Sequence, residues 1–144
     1  MTNQVKQAVK GFIITFNLAV IIMSLLPMVW GIDCYYVNPF YNNGSDIYCA
    51  RFTFLSGLDS LHLVLAYAIV VLSVASLVLI ITNFEKIELC LSGVRAVFMI
   101  IYAIMAMTTS ASIYEFGIAH ICVTIASFLL SLGWFLYSKY KLSH

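Results

Sequence analysis

Apolar side chains gather along this chain in four long runs, Gly11 to Trp30, Leu61 to Thr82, Val94 to Ile113 and Gly117 to Tyr137. Charge, asparagine and proline collect mainly between them. Each run is close to the roughly 20 residues that cross a bilayer as an α-helix. Lipid offers no partner to a backbone amide, so a spanning segment must satisfy its own hydrogen bonds. The runs lack the alternation of barrel strands, which leaves the helix. The pattern predicts an all-α membrane protein, a four-transmembrane-helix bundle forming one domain over residues 1–144. The helices are expected at about 11–31, 55–83, 93–113 and 117–138, with an outer loop at about 32–54. Lys6 and Lys10 before the first run also fit a signal peptide, but the apolar core is longer than a signal core and no small-x-small cleavage site follows. It is taken as a retained first helix.

Composition agrees. Hydrophobic residues make up 63% of the chain and charged residues 9%, too few charges to cover a soluble domain. Their placement predicts an orientation. Lys6, Lys10, Lys86, Arg95, Lys139 and Lys141 fall on one side of the helices and Arg51 alone on the other. Lys and Arg near helix ends favour the cytoplasm, so both termini and the loop NFEKIELCLSG are expected there.

The stretch WGIDCYYVNPFYNNGSDIYCARFTF, from Trp30 to Phe54, then faces outward. Asn43-Gly44-Ser45 is an N-glycosylation acceptor, and Cys34 and Cys49 are placed to form a disulfide in an oxidising compartment. Both fit the secretory pathway or the plasma membrane. Tyr35-Tyr36-Val37 and Ile47-Tyr48 are strand-like and Asn43-Gly44 is a favoured turn pair, so a small stapled hairpin is expected, with Asn38-Pro39 adding a bend. The loop's Tyr and Phe residues fit either an aromatic belt at the membrane interface or a partner-binding surface.

Within the apolar runs, small and polar residues recur at spacings of three and four. The second helix carries Asp59, His62, Ala66, Ile69, Ser73, Ser76 and Ile80 on one face. The third carries Ala96, Met99, Ala103, Ala106 and Ser110. The fourth carries Ala119, Cys122, Ala126, Leu129 and Gly133, flanked by His120, Thr124, Ser127 and Ser131, and the first offers Asn17, Ser24 and Gly31. Small residues let helix backbones approach and hydroxyls bond across the contact, so these faces are expected to be packing seams of a left-handed bundle.

Few residues carry candidate chemistry. Asp59 and His62 are neighbours on one helix face. Glu115 and His120 open the fourth helix at the same outer end, so the four residues form a candidate polar or ion site. Helix caps and interfacial hydrogen bonds explain them equally simply. A histidine pair can also ligate haem, but small-residue seams fit a closed bundle better, and neither cofactor nor metal is expected. There is no Cys-x-x-Cys, no Gly-rich phosphate loop and no His-Glu-x-x-His, so no enzymatic activity is expected. Cys90, beside the membrane on the cytoplasmic side, is a candidate for palmitoylation, and Cys122 reads as a small core residue. Arg95 is expected to reach the headgroups or to pair with Glu85 or Glu88.

Four helices, cytoplasmic ends and paired cysteines in the first outer loop resemble the tetraspan families. Trp30-Gly31-Ile32-Asp33-Cys34, with Cys49 following, is similar to the claudin pattern of a Trp, a Gly-Leu-Trp element and two cysteines. The Gly-Leu-Trp element is absent and the loop is shorter, and the short loops and tails resemble MARVEL-type proteins equally. The resemblance implies a non-enzymatic component of junctions, trafficking or membrane organisation, or an accessory subunit of a larger membrane complex. Its expected partners are the lipid bilayer and other membrane proteins, with no nucleic acid, and it is a candidate oligomer. The alternative expectation is a small transporter or channel using Asp59, His62, Glu115 and His120.

Overall fold

The structure, a computed structural model, describes residues 3–36, 47–56, 59–108 and 112–142. The chain runs α1 (Asn3–Leu25), β1 (Val29–Tyr36), β2 (Ile47–Thr53), α2 (Ser60–Ile81), α3 (Glu85–Thr108), β3 (Ser112–Ile113) and α4 (Glu115–Leu142). All four helices are long and apolar enough to cross a membrane. At 1.5 Å per residue the shortest extends roughly 33 Å, against a hydrocarbon core of about 30 Å.

The helix ends differ from those expected from hydropathy, because local chemistry rather than apolar character sets them. α1 starts at Asn3, since the Gln- and Lys-containing segment before Gly11 consists of good helix formers. It stops at Leu25 because Pro27 disfavours helical backbone at the residue before it. α2 starts only at Ser60, where Asp59 caps it by accepting the His62 backbone N–H at 2.9 Å. α3 reaches back to Glu85, with Glu85 and Glu88 favourably placed in its first turn. Between α2 and α3 the chain reverses through a Schellman turn. Asn83 takes the left-handed conformation (φ 64°), and the Phe84 N–H bonds the Leu79 carbonyl at 2.9 Å.

Each helix packs against two others: α1 on α2 and α4, and α3 on α2 and α4. α1 and α3 are therefore diagonal, as are α2 and α4. The burial pattern inverts that of a soluble bundle. Val64, Val71 and Val78 of α2, Val97, Ile101 and Ile104 of α3, and Ile118, Leu129 and Leu136 of α4 point outward and are exposed. Inside lie Asn17, Ser24, Ser73, Ser76, Glu88, Ser92, Arg95, Thr124, Ser127 and Ser131 alongside apolar residues. Such a surface suits a hydrocarbon solvent, and such an interior suits helices joined by close backbone approach and hydrogen bonds.

The α4 seam and Arg95 come out differently from the sequence expectation. On α4 the buried row is His120, Thr124, Ser127 and Ser131, whereas Ala119, Cys122, Leu129 and Gly133 are exposed. Cys122 is thus no core residue. Burial follows the hydroxyls because a polar group gains more from leaving lipid than a small apolar one does. Arg95 is fully buried rather than extended to the headgroups.

The fold is not purely helical. A three-stranded sheet of order β2-β1-β3 closes one end of the bundle, and the start of α1 and the end of α4 lie at the other. β1 and β2 form the antiparallel pair expected of the first loop, joined by the Cys34–Cys49 disulfide. β3, from the connection between α3 and α4, adds to the far edge of β1 with Gly31 opposite Ile113. Gly31 permits this approach: a Cβ there would lie 2.6 Å from the Ser112 carbonyl oxygen and 2.8 Å from the Phe52 ring. Gly117 plays the same part under β1, where a Cβ would meet the Trp30 carbonyl oxygen at 2.6 Å. The turn between β1 and β2, including Asn43, lies outside the described residues.

Candidate functional site

The buried polar groups form an axis through the bundle, and each level is set by helix spacing. Glu88, Ser92 and Arg95 stand one above another on α3, with Ser131 and Ser127 facing them from α4. Nearest the termini, Ser131 donates to Glu88 at 3.1 Å. Further in, the Arg95 guanidinium donates to Asn17 Oδ1 across the diagonal at 2.6 Å and to Ser127 Oγ at 2.8 Å. The Asn17 amide is committed to the Ile13 carbonyl at 2.9 Å, which fixes its oxygen as the acceptor. Three helices are thus tied at one cation, with no carboxylate within ion-pair distance of it among the described residues.

Toward the sheet the axis passes to His120, whose tautomer follows from its neighbours. Ser24 spends its single hydroxyl proton on the Val20 carbonyl at 2.7 Å, so at 3.0 Å from His120 Nε2 it accepts. His120 therefore carries its proton on Nε2. Nδ1 is left to accept the Trp30 indole N–H at 3.2 Å. This chain of bonds fastens β1 to α4 and α1 through a fully buried tryptophan.

The outermost level is aromatic. Trp30 meets Tyr102 edge to face with ring centres 4.9 Å apart, and Phe54 lies 4.8 Å from Tyr102 and 4.6 Å from His120. The Tyr102 hydroxyl donates to the Phe54 carbonyl at 2.9 Å, holding the chain that follows β2 down onto α3. His62 packs its edge on Tyr102 at 5.0 Å and shares Asp59 Oδ1 at 2.9 Å through Nδ1. Asp59 lies outside the helix proper. The His62 backbone N–H and then its ring hold the Asp59 carboxyl below the usual aspartate range.

Of the residues singled out in sequence, the structure brings together Cys34 with Cys49 and Asp59 with His62. His62 and His120 are both buried, but the rings of Tyr102 and Phe54 lie between them. Glu115 is exposed in the first turn of α4, and among the described residues no hydrogen bond or ion pair joins it to the other three. No group of three His, Cys, Asp or Glu side chains able to hold a metal occurs among the described residues. Cys90 is exposed on α3.

The Arg95–Asn17–Ser127 junction and the Trp30–His120 bond were not foreseen from sequence. One signal for the first was present: extending the α3 seam Ala96, Met99, Ala103 and Ala106 back by two steps of four places Ser92 and Glu88 on it, with Arg95 alongside. Comparisons with protein-family models, curated proteins and solved structures found no match.

Proposed function

We propose that this chain is an integral membrane tetraspan without enzymatic activity, which organises or accompanies other membrane proteins. Its outer sheet acts as a rigid contact platform and its apolar helix faces as lateral surfaces. One observation carries the reading. Strands from both outer connections form a single sheet, stapled by Cys34–Cys49 and anchored into the bundle through Trp30 and His120. A mere connector needs no such construction, whereas a recognition surface gains affinity from being preorganised. In this reading the sheet faces outward and the termini are cytoplasmic, as the lysine distribution favours. Trp30, Phe52 and Phe54 at the base of the sheet are committed to packing, and recognition belongs to its exposed β2 edge around Arg51. The test is gentle solubilisation from the native source, comparing the native chain with a Cys34→Ala/Cys49→Ala variant. A partner that accompanies only the disulfide-bonded form supports the proposal; an identical set of partners for both forms counts against it.

A second reading, a small transporter or channel, draws on the axis itself. His62 Nε2, Ser76 Oγ and Arg95 Nε are buried and have no hydrogen-bond partner among the described residues. An intramembrane cation is a default functional candidate. Flux in liposomes under a proton or ion gradient, sensitive to His120→Ala or Arg95→Met, is the expected sign of this activity. No flux under any gradient eliminates it.

A further inference from the structure

At the end of the bundle away from the sheet, two cavities share one side chain. The first, of about 330 Å³, lies between the start of α1 and the α2–α3 turn, with Ile13 and Ile80 as its floor. Lys6, Lys10 and Asn83 line it, and Glu85 is its one carboxylate among the described residues. The second, of about 460 Å³, is an apolar groove between α1 and α4 lined by Val5, Val9, Leu129, Leu130 and Gly133. Trp134 lines both. Each volume lies in the roughly 300–1,000 Å³ range of small-ligand sites.

We propose that the two cavities form one binding site for an anionic glycerophospholipid, the phosphodiester in the first cavity and an acyl chain in the second. Charge selects the headgroup. Two ammonium groups against one carboxylate leave a net single positive charge, the complement of a phosphodiester anion. The cation is also positioned in advance. Lys10 Nζ is held by Asn83 Oδ1 at 2.6 Å, and Asn83 is fixed by the left-handed turn joining α2 to α3. An ammonium carries three donors, so this contact leaves two for an anion.

Depth selects the tail. Lys6 and Lys10 lie in the first two turns of α1, at the level of the headgroups if the helix spans a bilayer. From Trp134 the groove follows α4 deeper, to Leu130 and Leu129. Tryptophan at the junction is the residue expected between a polar and an apolar layer. Gly133 gives the groove its width, since a Cβ there would meet no atom within 4 Å.

The experiment titrates the full-length protein in mild non-ionic detergent with phosphatidylglycerol, phosphatidylcholine or water-soluble glycerol phosphate, and counts bound molecules by native mass spectrometry. One phosphatidylglycerol should be retained in preference to phosphatidylcholine. Each lysine near an anionic lipid is worth about fivefold in affinity, so Lys6→Gln/Lys10→Gln should lower its retention about twentyfold. Gly133→Leu should lower it independently, because the open space around Gly133 lets the new side chain occupy the groove without disturbing the helix contacts. Lys6 is exposed, so Lys6→Gln alone, expected to cost about fivefold, provides a variant that leaves the fold intact. Equal retention of the two lipids, which is the behaviour of annular lipid, overturns the proposal. So does unchanged retention in either the lysine or the glycine variant, or glycerol phosphate binding as tightly as the lipid.

Discussion

Replacing Asn17 by Val tests whether the buried Arg95 junction holds the bundle together. The substitution keeps the side chain near its original size and removes the oxygen that accepts from Arg95 at 2.6 Å. Two magnitudes bracket the cost. Hydrogen bonds to charged groups contribute about 1.5–3 kcal/mol in soluble proteins. Those between membrane helices average about 0.6 and reach about 1.7 kcal/mol, because the unfolded chain in lipid finds other partners. Arg95 is fully buried and keeps only Ser127 at 2.8 Å, so the value should lie near the top of the membrane range. Loss of the Asn17 amide adds little, since its acceptor is the Ile13 carbonyl in its own helix. The expected cost is about 1.5 kcal/mol, slightly more than tenfold in the unfolding equilibrium. Arg95→Met removes the charge instead of its partner and should cost less, or stabilise, because no unpaired ion is left inside. Unfolding measured in bicelles by steric trapping, for both single variants and the double, gives the coupling directly. The double variant should be no worse than Arg95→Met alone. Costs that simply add, or an Asn17→Val variant as stable as the native chain, would refute the junction.

Three further predictions concern the sheet, its contact with α4 and the start of α2. Removing both Cys34 and Cys49 opens a loop with a sequence separation of 15 and should cost about 3 kcal/mol, seen as a lower melting temperature that reductant no longer changes. Gly31→Ala and Gly117→Ala each drive a methyl group against backbone and should cost about 1–3 kcal/mol, whereas Gly133→Ala, with open space around it, should be neutral or mildly stabilising in the same melting assay. Equal effects at all three glycines would show that the sheet does not approach α4 as described. Asp59, whose pKa the His62 N–H lowers, contributes stability that is present above the unfolded aspartate value of about 3.9 and lost as pH falls through the lower folded value. Amide exchange at His62 and Leu63 should therefore rise only below about pH 4 in the native chain, and Asp59→Asn, which retains the cap, should remove that dependence.

The four long apolar helices were legible because a segment built for lipid must be apolar along every turn, and four apolar runs record it. The α2 seam was legible from His62 on: His62, Ala66, Ile69, Ser73, Ser76 and Ile80 lie where a three-four repeat puts them and are buried, whereas Asp59, expected on the same face, is the exposed N-cap. On α4 two small-residue rows compete, and composition alone favoured the row of Ala119, Cys122 and Gly133 over the hydroxyl row that is buried. Arg95 misled because its worth in the interior depends on Asn17, 78 residues away. β3 was invisible since a two-residue strand has no periodicity, and its place is set by the absence of a side chain at Gly31. Sequence spacing puts both histidines toward one end of the bundle, but nothing local to either discloses that Tyr102 and Phe54 separate them or that Trp30 takes one ring nitrogen.

In the proposed function the stapled sheet is a surface for other membrane proteins. It is tested most directly by crosslinking on intact cells, using a photoreactive side chain placed at exposed Arg51 on β2, followed by gentle solubilisation and sizing of the labelled chain. The expected result is a discrete crosslinked species with one other membrane protein, lost when Cys34 and Cys49 are replaced by Ala while the chain still reaches its membrane. A native chain that migrates alone, with no crosslink from any exposed position on the sheet, would contradict it.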